Sequence, residues 1–166
     1  MNELEARMVR AAFERLLGLP SWGVENTHGS FLALNFGAPS LVVGDVRSLL
    51  GAKPRRAVHV EGAYYCWIEQ AFWTLSRDAA RMTSADSPRP ELQVALRDHL
   101  DGQALSAVGL QDRVLTLTFD LGSELTVEPW PGEALREDSC LWHLRDATHW
   151  LSLNADGRVT TERHAG

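Results

Sequence analysis

At 166 residues and 45% apolar content, the chain suits one domain, 1–166, and folding should bury ~70% of its unfolded surface. Its 22 acidic and 16 basic residues leave a net charge of −6. That disfavours a nucleic-acid binder, which needs a basic face; it suits plain solubility first, and also a protein partner with a basic surface.

No apolar run approaches the ~20 residues of a membrane span. The opening MNELEARMVR has no signal-peptide core. Cys66 and Cys140 are too few for a disulfide framework or a four-thiolate zinc site. The expectation is a cytoplasmic protein without membrane or nucleic-acid partners.

In chain order, Asn2 with Glu5 forms a capping-box pattern. Leu4, Met8, Ala12, Phe13 and Leu16 then fall on one helical face, which Gly18 and Pro20 end. Ser21–Val24 reads as a short strand. Ser30–Phe36 and Leu41–Val46 alternate as strands of a hairpin turned by Gly37-Ala38-Pro39-Ser40. A loop over 47–55 leads to a strand at Ala57–Glu61, with Val58 and Val60 on one face.

Tyr64–Leu75 (YYCWIEQAFWTL) is dense enough for helix or strand, and its aromatics and threonine favour strand. The polar stretch 76–87 is the linker candidate. Ser87 and Pro88 then suit the start of a second helix, with Leu92, Leu96 and Leu100 as its stripe and Gly102 as its stop.

Leu105–Leu110 is a further short strand. Arg113–Val127 is a clear hairpin, with Leu115, Leu117, Phe119 and Leu121 alternating before Gly122-Ser123, and Leu125 and Val127 after it. Gly132–Asp138 reads as a charged loop. Cys140–Arg145 and His149–Asn154 form a last hairpin, in which Trp142, Leu144, Leu151 and Leu153 share one face. His143, Arg145, Trp150 and Ser152 share the other, and a strand over Arg158–Arg163 follows.

This order is stated twice. Gly18/Gly102, Val24/Val108, Phe36/Phe119, Leu41/Leu125 and Cys66/Cys140 are the echoes. The fold expectation is therefore α+β: two pseudo-repeats, about 2–78 and 87–163, each a helix followed by a mostly antiparallel meander sheet, sharing one core.

Chemistry is less legible. No GxGxxG, P-loop, HExxH, GxSxG or CxxC motif is present. The histidines lack the spacings of metal ligands, and a zinc site using Cys140 and a histidine ranks behind buried small thiols at Cys66 and Cys140. Cys66 or Ser30 as nucleophile would need His28 or His59 with Glu25 or Glu61. Glu61 and Glu69 are a formal carboxylate pair, though solvated acids are commoner. The expectation is no catalytic site, metal or cofactor.

Tryptophans are the better lead. Trp67 and Trp142 suit the core, whereas Trp73, Trp130 and Trp150 are harder to hide. With His143, Arg145, Glu61 and Glu69 they make the candidate interface, because aromatics beside arginine anchor protein contacts.

At GSFLALNFGAPSL, AYYCWIEQAFWTL, LDGQALSAV and TFDLGSELTV the chain resembles small bacterial two-repeat α+β proteins, similar in size and acidity to toxin-immunity proteins. The expectation is a non-enzymatic protein-binding module, and what the resemblance implies in narrower form is an immunity-type inhibitor of a cognate toxin. It carries over no catalytic residue. The alternatives are a small-molecule-binding protein or enzyme with its pocket between the repeats, and a homodimer formed through an open sheet edge.

Overall fold

Two helices and two antiparallel sheets make up the computed structural model of the chain, which describes residues 1–27, 29–46, 55–85, 89–131, 136 and 139–163. The order is α1 (Glu3–Glu14), β1 (Ser21–Asn26), β2 (Leu32–Val46), β3 (Arg55–Ile68), β4 (Phe72–Arg77) and β5 (Ala80–Thr83). Then come α2 (Arg89–Leu100), β6 (Leu105–Gln111), β7 (Val114–Phe119), β8 (Glu124–Glu128), β9 (Cys140–Arg145), β10 (His149–Asn154) and β11 (Val159–Arg163). The α+β class expected from the alternating patterns is the class observed.

One sheet has the order β1-β2-β3-β9-β10-β11 and the other β5-β4-β8-β7-β6. Each is thus a three-strand meander extended by strands from the other half of the chain. No helix among the described residues is long and apolar enough to cross a membrane.

The capping box at α1 forms as read: Asn2 Oδ1 accepts from Glu5 N, and Glu5 accepts from Asn2 N. Its buried face differs. Val9, Phe13 and Leu16 are fully buried, whereas Leu4 and Met8 are exposed. Phe13 fixes this rotation by meeting Trp142 of β9 edge to face, with centroids 5.2 Å apart. Leu92, Leu96 and Leu100 of α2 are buried as expected; its proposed cap, Ser87 and Pro88, lies outside the described residues. Helix α2 also covers the free edge of β1. Gln93 accepts from Asn26 N and donates to Val24 O, Arg97 donates to Val24 O, and Asp101 accepts from Val24 N. Those edge groups would otherwise be open to another strand.

The segments that follow the two helices bond to each other. Gly18 N donates to Leu105 O and Gly102 N to Ser21 O. Leu105 N donates to Leu19 O and Ser21 N to Gln103 O, on either side of a bridge between Pro20 and Ala104. Both helix-ending glycines have positive φ, 79° and 84°, the left-handed stop expected of them.

Three expectations are corrected. Gly37–Ser40 is no turn: β2 runs straight through it with a bulge between Phe36 and Pro39, and pairs with β3 over its whole length. Gly37 takes φ 74°, and at Gly62 opposite a Cβ would lie 2.6 Å from Phe36 O. Turn-forming residues here serve a bulge, and Pro39 is tolerated because β2 becomes an edge strand beyond it.

The linker 76–87 is largely sheet, since Ser76 and Arg77 end β4 and Ala80–Thr83 form β5. Its polarity is that of an edge strand turned at Asp78, whose φ is 52°.

Finally, Tyr64–Leu75 is extended but broken at Glu69–Ala71, where the chain leaves one sheet for the other. The break turns Trp73 inward to full burial, with Nε1 donating to Ser30 O at 2.7 Å.

A single hydrophobic cluster takes in Val9, Phe13, Leu96 and Leu100 of the helices, Phe36, Ile68 and Trp142 of the six-stranded sheet, and Trp73, Leu117 and Phe119 of the other.

Candidate functional site

Strand alternation gives the six-stranded sheet two faces. Leu34, Cys66, Trp142, Leu144, Leu151 and Leu153 point into the core. The register sets the opposite face in rows across neighbouring strands. One row is Trp67, His143, Ser152 and Thr160; the next is Tyr65, Arg145, Trp150 and Glu162. Four members of the shared face read from the β9–β10 alternation therefore do lie together.

In the second row Arg145 is held between rings, its guanidinium 5.4 Å from the Tyr65 centroid and 5.5 Å from that of Trp150. It also donates to Glu61, which His59 Nε2 meets at 2.7 Å. Burial opposes ionisation of Glu61, but the hydrogen bonds from Arg145 and His59 outweigh it and hold the carboxyl below its usual range. Burial pushes the Tyr65 phenol up.

In the first row the His143 ring sits 5.8 Å from Trp67 and 5.5 Å from Trp150. Its Nδ1 lies 2.7 Å from Ser152 Oγ and its Nε2 3.1 Å from Glu69 Oε2. Both contacts are satisfied when Nε2–H donates to Glu69 and the serine hydroxyl donates to Nδ1. Cys140 completes the group, its Sγ 3.6 Å from Nδ1. Cys140, His143, Ser152, Trp67 and Trp150, with Asn154 and Glu162, line an open depression of ≈ 490 Å³.

Cys140 and His143 are three residues apart in one strand, which ordinarily places side chains on opposite faces. A register shift at Leu153/Asn154 leaves Leu141 and Trp142 both buried and brings Cys140 round to the face of His143. Glu69 arrives from the break after β3, where Glu69 N donates to Leu141 O and Gln70 N to Cys140 O. Regular spacing could not reveal the group, because a bulge and a chain break assemble it.

The remaining candidates fall elsewhere. Trp73 is core and no surface anchor. Trp130 packs edge to face on Phe72 at 5.2 Å. Trp67, expected in the core, is half-buried on the outer face. Glu61 and Glu69 are no acid–base pair: extended chain on the order of 25 Å long separates them, and each has its own partner. Ser30 Oγ donates to Glu69 O, and His28 lies outside the described residues. Burial pushes the thiols of Cys66 and Cys140 up to about 12, so neither is a ready nucleophile. Ser152 stands mid-strand between two partner strands, where its backbone offers no oxyanion-hole geometry. A larger depression, ≈ 640 Å³, between Arg10 and strands β6 and β7 has no histidine or cysteine in its lining.

The sheet has one further feature. Beyond the bulge, β2 and β3 run on as a ribbon from Pro39–Gly62 to Val46–Arg55, about 25 Å of strand. Their outer edges have no partner strand there among the described residues, since β1 pairs β2 only up to Phe36 and β9 pairs β3 only from Tyr65. Leu41 is cross-strand from Val60, and Val43 from Val58. They are 73, 51, 61 and 62% exposed respectively. Val58 and Val60 keep the strand parity of Cys66 and Ile68, so the inward face of the sheet continues past the end of the core.

No protein-family model matches the chain, and neither the curated proteins nor the solved structures yield a match.

Proposed function

We propose that this chain is a non-enzymatic protein-binding module that engages its partner through the β2–β3 ribbon. The observation carrying this reading is the row of Leu41, Val43, Val58 and Val60, a core-type alternation whose side chains are exposed. Isolated exposed aliphatics are ordinary, but four on one face of a ribbon whose edges have no partner strand among the described residues make a patch suited to partner contact. Those edges add backbone donors and acceptors for strand addition. Near the ribbon's root, on the opposite face of the sheet, Glu61, Arg145 and Trp150 form a separate polar and aromatic patch. The net charge of −6 favours encounter with a basic partner.

The narrower form of the proposal is an immunity-type inhibitor that covers a basic toxin. Two repeats closing over one core are its architectural counterpart. The reciprocal bonds of Gly18 with Leu105 and Gly102 with Ser21, about the Pro20–Ala104 bridge, support that duplication.

The test compares wild type with a Leu41→Lys/Val60→Lys variant. Both positions are exposed, so thermal stability should stay within about 0.5 kcal/mol of wild type. A protein captured by wild type should be lost by the variant, and protection from a co-expressed toxin encoded beside this chain should be lost with it. Equal capture by both proteins would refute the ribbon as the contact. A dimer mass in light scattering, reduced to monomer by the variant, would make a second copy the occupant.

A further inference from the structure

We propose that Cys140, His143 and Glu69 bind a zinc-class divalent cation, through the cysteine sulfur, a histidine ring nitrogen and a carboxylate oxygen, with a fourth position open to the depression on the outer face. This site is independent of the ribbon and of the partner it would hold.

The donor set is the first argument. Thiolate, imidazole and carboxylate together suit zinc, which accepts all three, and not magnesium or calcium, which favour oxygen alone.

Geometry is the second. The three ligand atoms lie within 4.8 Å of one another. Cys140 Sγ and His143 Nδ1 are 3.6 Å apart. Tetrahedral zinc with bonds of ~2.3 Å to sulfur and ~2.05 Å to nitrogen sets those atoms ~3.6 Å apart. Loading would exchange the Ser152 contact at Nδ1 for the metal and draw the Glu69 carboxylate in from Nε2.

A bulge turns Cys140 out of its regular strand orientation toward His143, and bulges commonly re-aim a side chain in this way. Trp67 and Trp150 flank the imidazole and restrict its rotation, a form of preorganisation. Three protein ligands with one open position leave room for water or for a donor atom from a bound molecule.

Binding displaces the thiol proton, and the metal takes its place on sulfur. No redox step is involved.

The test is a titration of the full-length, chelator-treated chain with Co2+. A thiolate-to-cobalt band in the near ultraviolet and visible bands of tetrahedral intensity should appear, saturate at one ion per chain, and be displaced by Zn2+. Cys140→Ser should abolish the near-ultraviolet band and weaken binding by roughly tenfold or more, as should His143→Gln for affinity. Cys66→Ser should change neither. Far-ultraviolet circular dichroism establishes that each variant folds; if Cys140→Ser does not, His143→Gln and the wild-type spectrum decide. Absence of the near-ultraviolet band in wild type overturns the proposal, as does its persistence in folded Cys140→Ser.

Discussion

Asp146 shows how much organisation one side chain can supply. Its Oδ1 accepts from the backbone N–H groups of Thr148 and His149, closing the β9–β10 turn, and Oδ2 accepts from Arg15 beyond α1. Arg15 also lies over the Tyr64 ring, 5.2 Å from its centroid, so helix, turn and β3 meet at this carboxylate. Burial opposes the charge, but the two backbone donors and Arg15 prevail and hold the carboxyl well below its usual range. A depressed value means that the ionised form stabilises the fold above the unfolded carboxylate value of ~3.9 and ceases to as pH falls below it. Asp146→Asn keeps the turn acceptor and removes the charge. It should cost about 1 kcal/mol near neutral pH, and chemical denaturation at falling pH should show the gap to wild type closing below pH ~4. A gap independent of pH would show that the charge has no part in it. This role is only half legible from sequence. Asp before Thr and His suggests a turn, but nothing local announces a partner 131 residues away.

At the scale of elements, alternation was a sound guide wherever a strand stayed regular. Leu115, Leu117 and Phe119 are buried as their period requires, while Leu121, read on the same face, lies past the end of β7 and is exposed; the faces assigned to β9 and β10 are those observed. It misled where the backbone departs from regularity without a distinctive residue. Gly37 and Pro39 suit a turn and a bulge equally, and the choice was made by pairing with β3, which is nonlocal. Glu69-Gln70-Ala71 contains no glycine or proline, so the break that buries Trp73 and presents Glu69 had no local signal. The same limit hides α2's second task. Its Leu stripe is plain, but its hold on β1 rests on Gln93 and Asp101, ordinary polar residues of a helix surface and its end. Gln93→Ala removes the acceptor of Asn26 N and one of the donors to Val24 O. The expected loss is about 1–2 kcal/mol, measured by thermal or urea unfolding, together with faster amide exchange at Asn26. Unchanged exchange there would mean that the helix does not protect this edge.

For the molecule as a whole, the two sheets are completed only by exchange. Strands β4 and β5 of the first half join β8, and β9, β10 and β11 of the second join β3. A fragment of residues 1–85 should therefore be largely unfolded alone, as should one of 86–166. Mixed in equal amounts they should recover strand ellipticity and tryptophan fluorescence with concentration-dependent kinetics. Independent folding of either fragment would contradict shared cohesion. The strand pattern made the α+β class readable, but not the exchange, because β4 carries no mark of which sheet it will enter.

That exchange bears on how the protein is born. A ribosome emits β4 and β5 well before it has made β8, so Trp73 and Leu75 emerge with no sheet to receive them. Until the later strands leave the exit tunnel, the nascent chain carries a sticky, unfinished hairpin. Slow translation between the halves would prolong that exposure of apolar surface.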